Sequence, residues 1–362
     1  MSAVDDIFKK WNKESKYEVA KSGVEWQDVV RIPFSSPRLS YLLYGGLPAI
    51  GLSEFSGPEG AGKTLAALDI VANAQKKWPD RDVVWWDIET TFDSRWAAKQ
   101  GVNIDKLKYV CPEEEYAETI FDMMVELLES PDTDISLMVL DSVAAMIPKQ
   151  DYEKSQDQAT MGGIARPLTR FCNRIAPLLR KKRCALIVIN QVRDDMNSMY
   201  GGTVTPGGRG LKHTAVVRLE FRRSDFFDAN GTVVSTQAEN PAGHLVKVKV
   251  LKTKVCRPDR KVGFYTLNYL DGIDYVSDLM DVGVSVEVFT KKGAWYYAPD
   301  ENGEIQGYQG KAKFRQYLVD NPDMLEKYVS TIDSVLTAQD NEEKARYIQS
   351  VVEATVPQAE ND

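Results

Sequence analysis

Histidine is nearly absent from this chain. Only His213 and His244 occur in 362 residues, which leaves H-E-x-x-H metal chemistry or a Ser–His triad almost nothing to work with. Cysteine is sparse too. Cys111, Cys172, Cys184 and Cys256 stand far apart without a C-x-x-C pair, so neither a zinc site nor a disulfide framework is supported, and four buried thiols in a cytosolic protein are expected. No apolar run approaches the roughly 18 residues of a membrane span. The N-terminus lacks a basic region followed by an apolar stretch, so a secretory signal is not expected. Positive charge is in deficit, with a net charge of −8. Residues 301–362 hold twelve acids and six bases, a net of −6, which leaves only −2 for the first 300. The acidity is therefore local, and a nucleic-acid partner is not excluded.

What is present is a phosphate loop. Gly57, Pro58, Glu59, Gly60, Ala61, Gly62, Lys63 and Thr64 fit G-x-x-x-x-G-K-[ST]. Residues 52–55 before it read as a short strand, and 65–76, rich in Ala, Leu and Ile without Gly or Pro, as a helix. Gly57, Gly60 and Gly62 let the backbone turn tightly and aim its N–H groups at an anion. The helix start adds unpaired N–H groups and a positive dipole end. Lys63 supplies a point charge for the outer phosphates and Thr64 a hydroxyl for Mg²⁺. The pattern predicts binding of a nucleoside triphosphate.

Short apolar runs at 83–87, 137–141 and 185–190 fit buried parallel strands, with helical patterns between them around 113–129 and 164–182. The expected fold is α/β, a mostly parallel sheet with helices on both faces. Alternating strands at 216–221 and 245–250 extend its edge. The expected organisation is an N-terminal segment (1–30), an ATPase core (31–271), a small α+β domain (272–354) and an acidic disordered tail (355–362). Two long loops, 148–163 and 192–212, follow strand C-termini, where open α/β sheets bind ligands.

Asp141 closes an apolar strand, as a Walker B acid for Mg²⁺ does. Glu89 follows the strand expected beside the phosphate loop, where its carboxylate can polarise an attacking water. Gln191 ends another strand and begins the second loop, where its amide can sense a γ-phosphate. Arg166, Arg170 and Arg174 recur every four residues on one helix face, and residues 164–183 carry seven basic groups and no acid.

These segments resemble the RecA family of ATP-dependent strand-exchange recombinases across roughly residues 31–321. In family order stand the phosphate loop, Leu140-Asp141-Ser142-Val143-Ala144-Ala145, Ile189-Asn190-Gln191-Val192-Arg193, Gly207-Gly208 with Leu211-Lys212, and the strand that ends in Lys252-Thr253-Lys254. Lys292-Gly293-Ala294-Trp295-Tyr296-Tyr297, then Gly307 and Gly310-Lys311, resemble the bacterial-type C-terminal domain.

The resemblance implies that Lys63 and Thr64 hold phosphates and Mg²⁺, with Asp141 on the metal through water. It makes Glu89 the residue that orients water and Gln191 the γ-phosphate sensor. Asp93 and Trp96 fall at adenine-contacting positions. Lys252 and Lys254 match a pair that reaches a neighbour's ATP across the filament interface. The two loops match DNA-binding loops, with Met161, Gly162 and Arg166 at contact positions. Arg170, Arg174, Tyr200, Gly207, Gly208 and Arg209 are further DNA-binding candidates. Departures from the pattern include Tyr200 for the usual Phe, the acidic pair Asp194-Asp195, and Leu65 for a second Thr. The implied partners are single- and double-stranded DNA, further copies of the chain in a helical filament, and single-strand-binding and mediator proteins. The implied location is the cytoplasm, that of a host if the chain is virus-encoded.

The implied activity is DNA-dependent ATP hydrolysis coupled to homologous pairing and strand exchange. A ring helicase of related core would share the phosphate loop and both acids but not the Gly293-Ala294-Trp295-Tyr296 region. A regulator using ATP only as a switch is opposed by Glu89 and Gln191.

Overall fold

A computed structural model describes residues 3–14, 29–152, 163–194, 203–229 and 231–355. Contacts divide the chain into Met1–Val30 and Arg31–Asp362. In the first unit Ala3–Glu14 is a helix on which Phe8 stacks against Trp11, with centroids 5.9 Å apart.

The second unit is built on a ten-stranded sheet. Five strands run parallel in the order Gly51–Gly57, Ala185–Gln191, Ile135–Asp141, Asp82–Asp87 and Leu107–Val110. On the other side of Gly51–Gly57 lies Val217–Phe227, also parallel to it. From there the sheet turns antiparallel through Gly243–Thr253, Val262–Asn268 and Gly272–Ile273, with Val233–Val234 on the side. The alternating 216–221 and 245–250 patterns thus form the extension expected of them.

The period of two sorts side chains between two cores. Trp85, Leu137, Val139, Ile187 and Ile189 face one side, against the helix Lys63–Lys77. Trp86, Met138, Leu140, Leu186 and Val188 face the other, against Ala117–Glu129 and Ala165–Lys182. Helices therefore cover both faces of the parallel strands, which explains why these strands read as continuous apolar runs. In Ala165–Lys182, Leu168, Phe171, Cys172, Ile175 and Leu179 form the buried stripe, while Arg166, Arg170 and Arg174 lie on its exposed side. Cys172 and Cys184 are buried, whereas Cys111 and Cys256 are only partly so; all four are free thiols.

The C-terminal part has its own apolar cluster, in which Phe289 meets Phe314 and Tyr328 edge-on at 5.0 and 4.9 Å. It comprises the antiparallel strands Thr290–Lys292, Trp295–Pro299 and Ile305–Gln309 with the helices Tyr275–Ser285, Lys311–Asp320 and Pro322–Thr355. Thr355, expected to begin the tail, closes the last helix; residues 356–362 lie outside the described residues.

Besides the partial exposure of Cys111 and Cys256 and the helical placement of Thr355, three expectations about strands and loops need correction. The strand Asp82–Asp87 is not beside the phosphate-loop strand, because Ala185–Gln191 and Ile135–Asp141 lie between them. The first loop contains a helical turn at Lys149–Tyr152. The second is shorter than expected, since Gly208–Thr214 is helical and Arg193–Asp194 pairs with Thr203–Val204.

Candidate functional site

The phosphate loop joins the fully buried strand Gly51–Gly57 to the helix that begins at Lys63. Gly62 caps that helix with φ 89°, and a Cβ there would lie 2.3 Å from the Tyr265 hydroxyl, so only glycine fits. That hydroxyl instead donates to the Gly62 carbonyl at 2.9 Å, while Arg223 donates to the Glu59 carbonyl at 3.0 Å. The β-extension thus braces the loop from outside. Lys63 is 8% exposed and donates from Nζ to the carbonyls of Gly57 and Pro58 at 2.9 and 2.7 Å. Burial lowers its pKa, against the pull of Asp141, Glu89 and Glu59.

Across the loop, Thr64 Oγ1 donates to Asp141 Oδ2 at 3.1 Å. Asp141 is 4% exposed, and burial pushes its carboxyl up to about 7, with Glu89 and Asp87 adding repulsion and Thr64 and Lys63 opposing it. The Glu89 carboxylate accepts from the Ser142 hydroxyl and from Gln191 Nε2, the latter at 3.0 Å. Backbone N–H groups of Ile88 and Glu89 donate to the Asp141 carbonyl, fixing the turn after Asp87 to the end of the neighbouring strand. This link brings Glu89 to the phosphate site although its strand is not adjacent to Gly51–Gly57. Asp87 itself is used locally, accepting from Thr91 and Phe92 N–H and the Tyr109 hydroxyl.

A cleft of about 320 Å³ opens over Gly60–Leu65 and is walled by Trp96, His244, Leu267 and Tyr269. Trp96, partly buried, also packs against the core. Asp93 is exposed and caps the helix Ser94–Lys99 by accepting from Arg95 and Trp96 N–H.

Lys252 and Lys254 are also engaged within the chain. Lys252 Nζ donates to the carbonyls of Lys212 and His213 at 2.6 and 2.9 Å, and Lys254 Nζ donates to His213 at 2.8 Å. Together they cap the C-terminal end of Gly208–Thr214, where carbonyls lack helical partners. Burial and the neighbouring Lys254 lower the Lys252 pKa to about 8.

Of the DNA-binding candidates, Gly207, Gly208 and Arg209 lie at the start of that helix, with Gly208 and Arg209 exposed. Arg174 pairs with Asp122 at 2.5 Å. Met161, Gly162 and Tyr200 lie outside the described residues. Sequence reasoning missed Ser142 as a partner of Glu89, and His244, Leu267 and Tyr269 as cleft walls. Ser142 adjoins Asp141 and was open to suspicion; the other three gather only through strand pairing.

Residues 1–274 match the RecA N-terminal domain and residues 277–337 the RecA C-terminal domain. Protein RecA of Aquifex pyrophilus is 33% identical over 327 residues, spanning 90% of this chain and 88% of that protein. Protein RecA of Clostridium perfringens strain 13 is 32% identical over 321 residues, spanning 88% and 86%. Protein RecA of Paracoccus denitrificans is 36% identical over 282 residues, spanning 77% and 74%. With the phosphate loop, the strand-end acids and both domains in place, this chain belongs to the RecA family, the DNA-dependent ATPases that form filaments on single-stranded DNA and catalyse strand exchange.

Proposed function

We propose that ATP binds in the cleft over Gly57–Thr64 and that its hydrolysis is carried by Lys63, Glu89 and Gln191. The observation that carries this reading is the placement of Glu89, held by Gln191 and Ser142 beside the phosphate loop. Lys63 exchanges its loop carbonyls for phosphate oxygens, and the backbone N–H groups of 57–64 complete the cradle. Asp93 and Trp96 flank the base. Glu89 accepts a hydrogen bond from the attacking water and orients it in line with the γ-phosphate.

The Thr64 hydroxyl and Asp141 suit Mg²⁺. They lie in hydrogen-bond contact, and the Asp141 carboxylate is buried beside Glu89 and Asp87, whose charge Lys63 opposes. The Thr64 hydroxyl with Asp141 acting through water suits a Mg²⁺ site completed by phosphate and water. Held there, Mg²⁺ would supply charge neutralisation to the phosphate oxygens.

Residues 148–163 and 192–212, with Arg166, Arg170 and Arg174, grip DNA backbone, while pairing between bases matches sequence. Lys252 and Lys254 complete the neighbouring subunit's ATP site, so nucleotide state governs assembly. Residues 1–30 serve subunit contact, 31–271 catalysis and 272–354 a separate domain, followed by an acidic tail. Double-stranded DNA, single-strand-binding proteins and mediators are further partners, and the family likeness suggests action in the cytoplasm, a host's if the chain is virus-encoded.

Glu89→Gln tests the catalytic assignment. It is expected to bind ATP and form regular filaments on single-stranded DNA by electron microscopy, while losing turnover by about 10²-fold or more. Hydrolysis at the parental rate would remove Glu89 from the mechanism.

A further inference from the structure

One ring nitrogen of a residue in the cleft wall lacks a partner among the described residues. His244 is 1% exposed and stands opposite Leu267 in the antiparallel pairing of Gly243–Thr253 with Val262–Asn268. Its Nδ1 lies 3.0 Å from the Tyr269 hydroxyl, and its ring packs against Phe226 and Tyr269 with centroids 5.6 and 5.5 Å away. Nε2 is buried and has no hydrogen-bond partner among the described residues. A buried polar atom left in that state costs stability unless a ligand or water bonds to it. The same side chain walls the cleft alongside Trp96, Leu267 and Tyr269.

Either partner of the His244 Nδ1–Tyr269 pair can donate. A phenol is a stronger acid than the N–H of neutral imidazole, which favours donation by the Tyr269 hydroxyl and leaves the hydrogen on Nε2. Burial, assisted by Arg223, holds the ring well below its ordinary pKa, at about 4, so it remains neutral near pH 7. Nε2–H is therefore a single uncharged donor rather than a cation for phosphate. Phosphate already has Lys63 and the helix start. The walls around His244 are aromatic and apolar, which suits a flat base.

Resting on the reading of this cleft as the ATP site, we propose that His244 recognises the nucleobase, its Nε2–H donating to a ring nitrogen of the adenine. Tyr269 is the positioning residue, because its hydroxyl favours the tautomer that leaves the hydrogen on Nε2.

Binding of ATP, of its 1-deaza, 3-deaza and 7-deaza analogues, of 2′-deoxy-ATP and of inorganic tripolyphosphate tests this on the full-length protein with Mg²⁺ and without DNA. The parent is expected to lose about tenfold for one deaza analogue, the size of one neutral hydrogen bond. His244→Phe keeps an aromatic ring and is expected to lose a similar factor for ATP, with no further loss for that analogue. It should bind tripolyphosphate as the parent does. His244→Gln, whose amide reaches the Nε2 position, should recover most of the affinity. The proposal is overturned if the parent is indifferent to all three deaza analogues. It is also overturned if the deaza loss is as large in His244→Phe as in the parent, or if His244→Phe abolishes discrimination of 2′-deoxy-ATP instead. Should His244→Phe lose tripolyphosphate too, its fold is damaged and His244→Gln with the parent's deaza series decides. A parent that binds neither ATP nor tripolyphosphate overturns both this inference and the site reading beneath it.

Discussion

Gln191 Nε2 donates to Glu89 Oε1 at 3.0 Å, tying the last residue of one core strand to a carboxylate just past the end of another. In the function proposed above, an arriving γ-phosphate competes for that amide, and the chain beyond Gln191 continues into 192–212. In that proposal Gln191 is the point at which nucleotide is reported to the second loop. Gln191→Ala is expected to keep ATP affinity within about threefold and to lose DNA stimulation of turnover by about tenfold or more. Steady-state hydrolysis with and without single-stranded DNA reads this directly. Normal stimulation would show that the bond serves only to hold Glu89.

The basic helix face makes a graded prediction. Arg166 is exposed at the start of Ala165–Lys182, whereas Arg174 is already paired with Asp122. Arg166→Ala should flatten the dependence of log affinity on log salt by about one unit of slope. Arg174→Ala should change it less, because Asp122 offsets its charge. The measurement is binding of a labelled oligonucleotide across a salt series, repeated with two base compositions. Equal changes at both positions would contradict the assignment, as would a defect confined to one composition.

Asp278 predicts a pH dependence. It is fully buried and accepts at Oδ1 from the Thr266 N–H and hydroxyl at 3.0 and 2.9 Å. Burial pushes its pKa up to about 7, against the pull of Ser36, Arg38 and Thr266. The folded state thus holds its proton more tightly than the unfolded chain. Its contribution to stability is complete below the ordinary carboxylate range near pH 4 and falls as pH rises towards 7. Asp278→Asn keeps an acceptor for Thr266 but cannot ionise. Its stability advantage over the parent should grow between pH 5 and pH 8 to a difference on the order of a few kcal/mol. Parallel denaturation curves at both pH values would refute the assignment.

The phosphate loop was legible because its chemistry demands particular residue types at fixed spacing, and the core strands because burial on both faces leaves little but apolar residues. Strand order was not legible. That Ala185–Gln191 and Ile135–Asp141 lie between the phosphate-loop strand and Asp82–Asp87 depends on how crossover helices pack, which no local pattern encodes. The helix Gly208–Thr214 was hidden by its glycines, which signalled a loop. At Gly210 the glycine serves close packing, since a Cβ would lie 2.3 Å from Thr169 Oγ1 in the adjoining helix. His244 and Tyr269 were silent because they meet only where one strand begins and the turn after its antiparallel partner starts. The in-chain bonds of Lys252 and Lys254 were likewise invisible, as they depend on where the preceding helix ends.

Whether neighbouring subunits share one ATP site is decided by mixing two inactive variants. Lys63→Ala lacks its own phosphate grip but retains both lysines, while Lys252→Ala/Lys254→Ala retains an intact phosphate loop. Each alone should hydrolyse little ATP on single-stranded DNA, and the double variant should still bind nucleotide as a monomer. In a random one-to-one filament, about a quarter of the heterologous interfaces pair an intact loop with intact lysines. Turnover should therefore return to up to about a quarter of the parental rate. If Lys252 and Lys254 act only within their own chain, as the cap of Gly208–Thr214, mixing would restore nothing. A double variant that hydrolysed ATP at the parental rate would contradict the shared site outright.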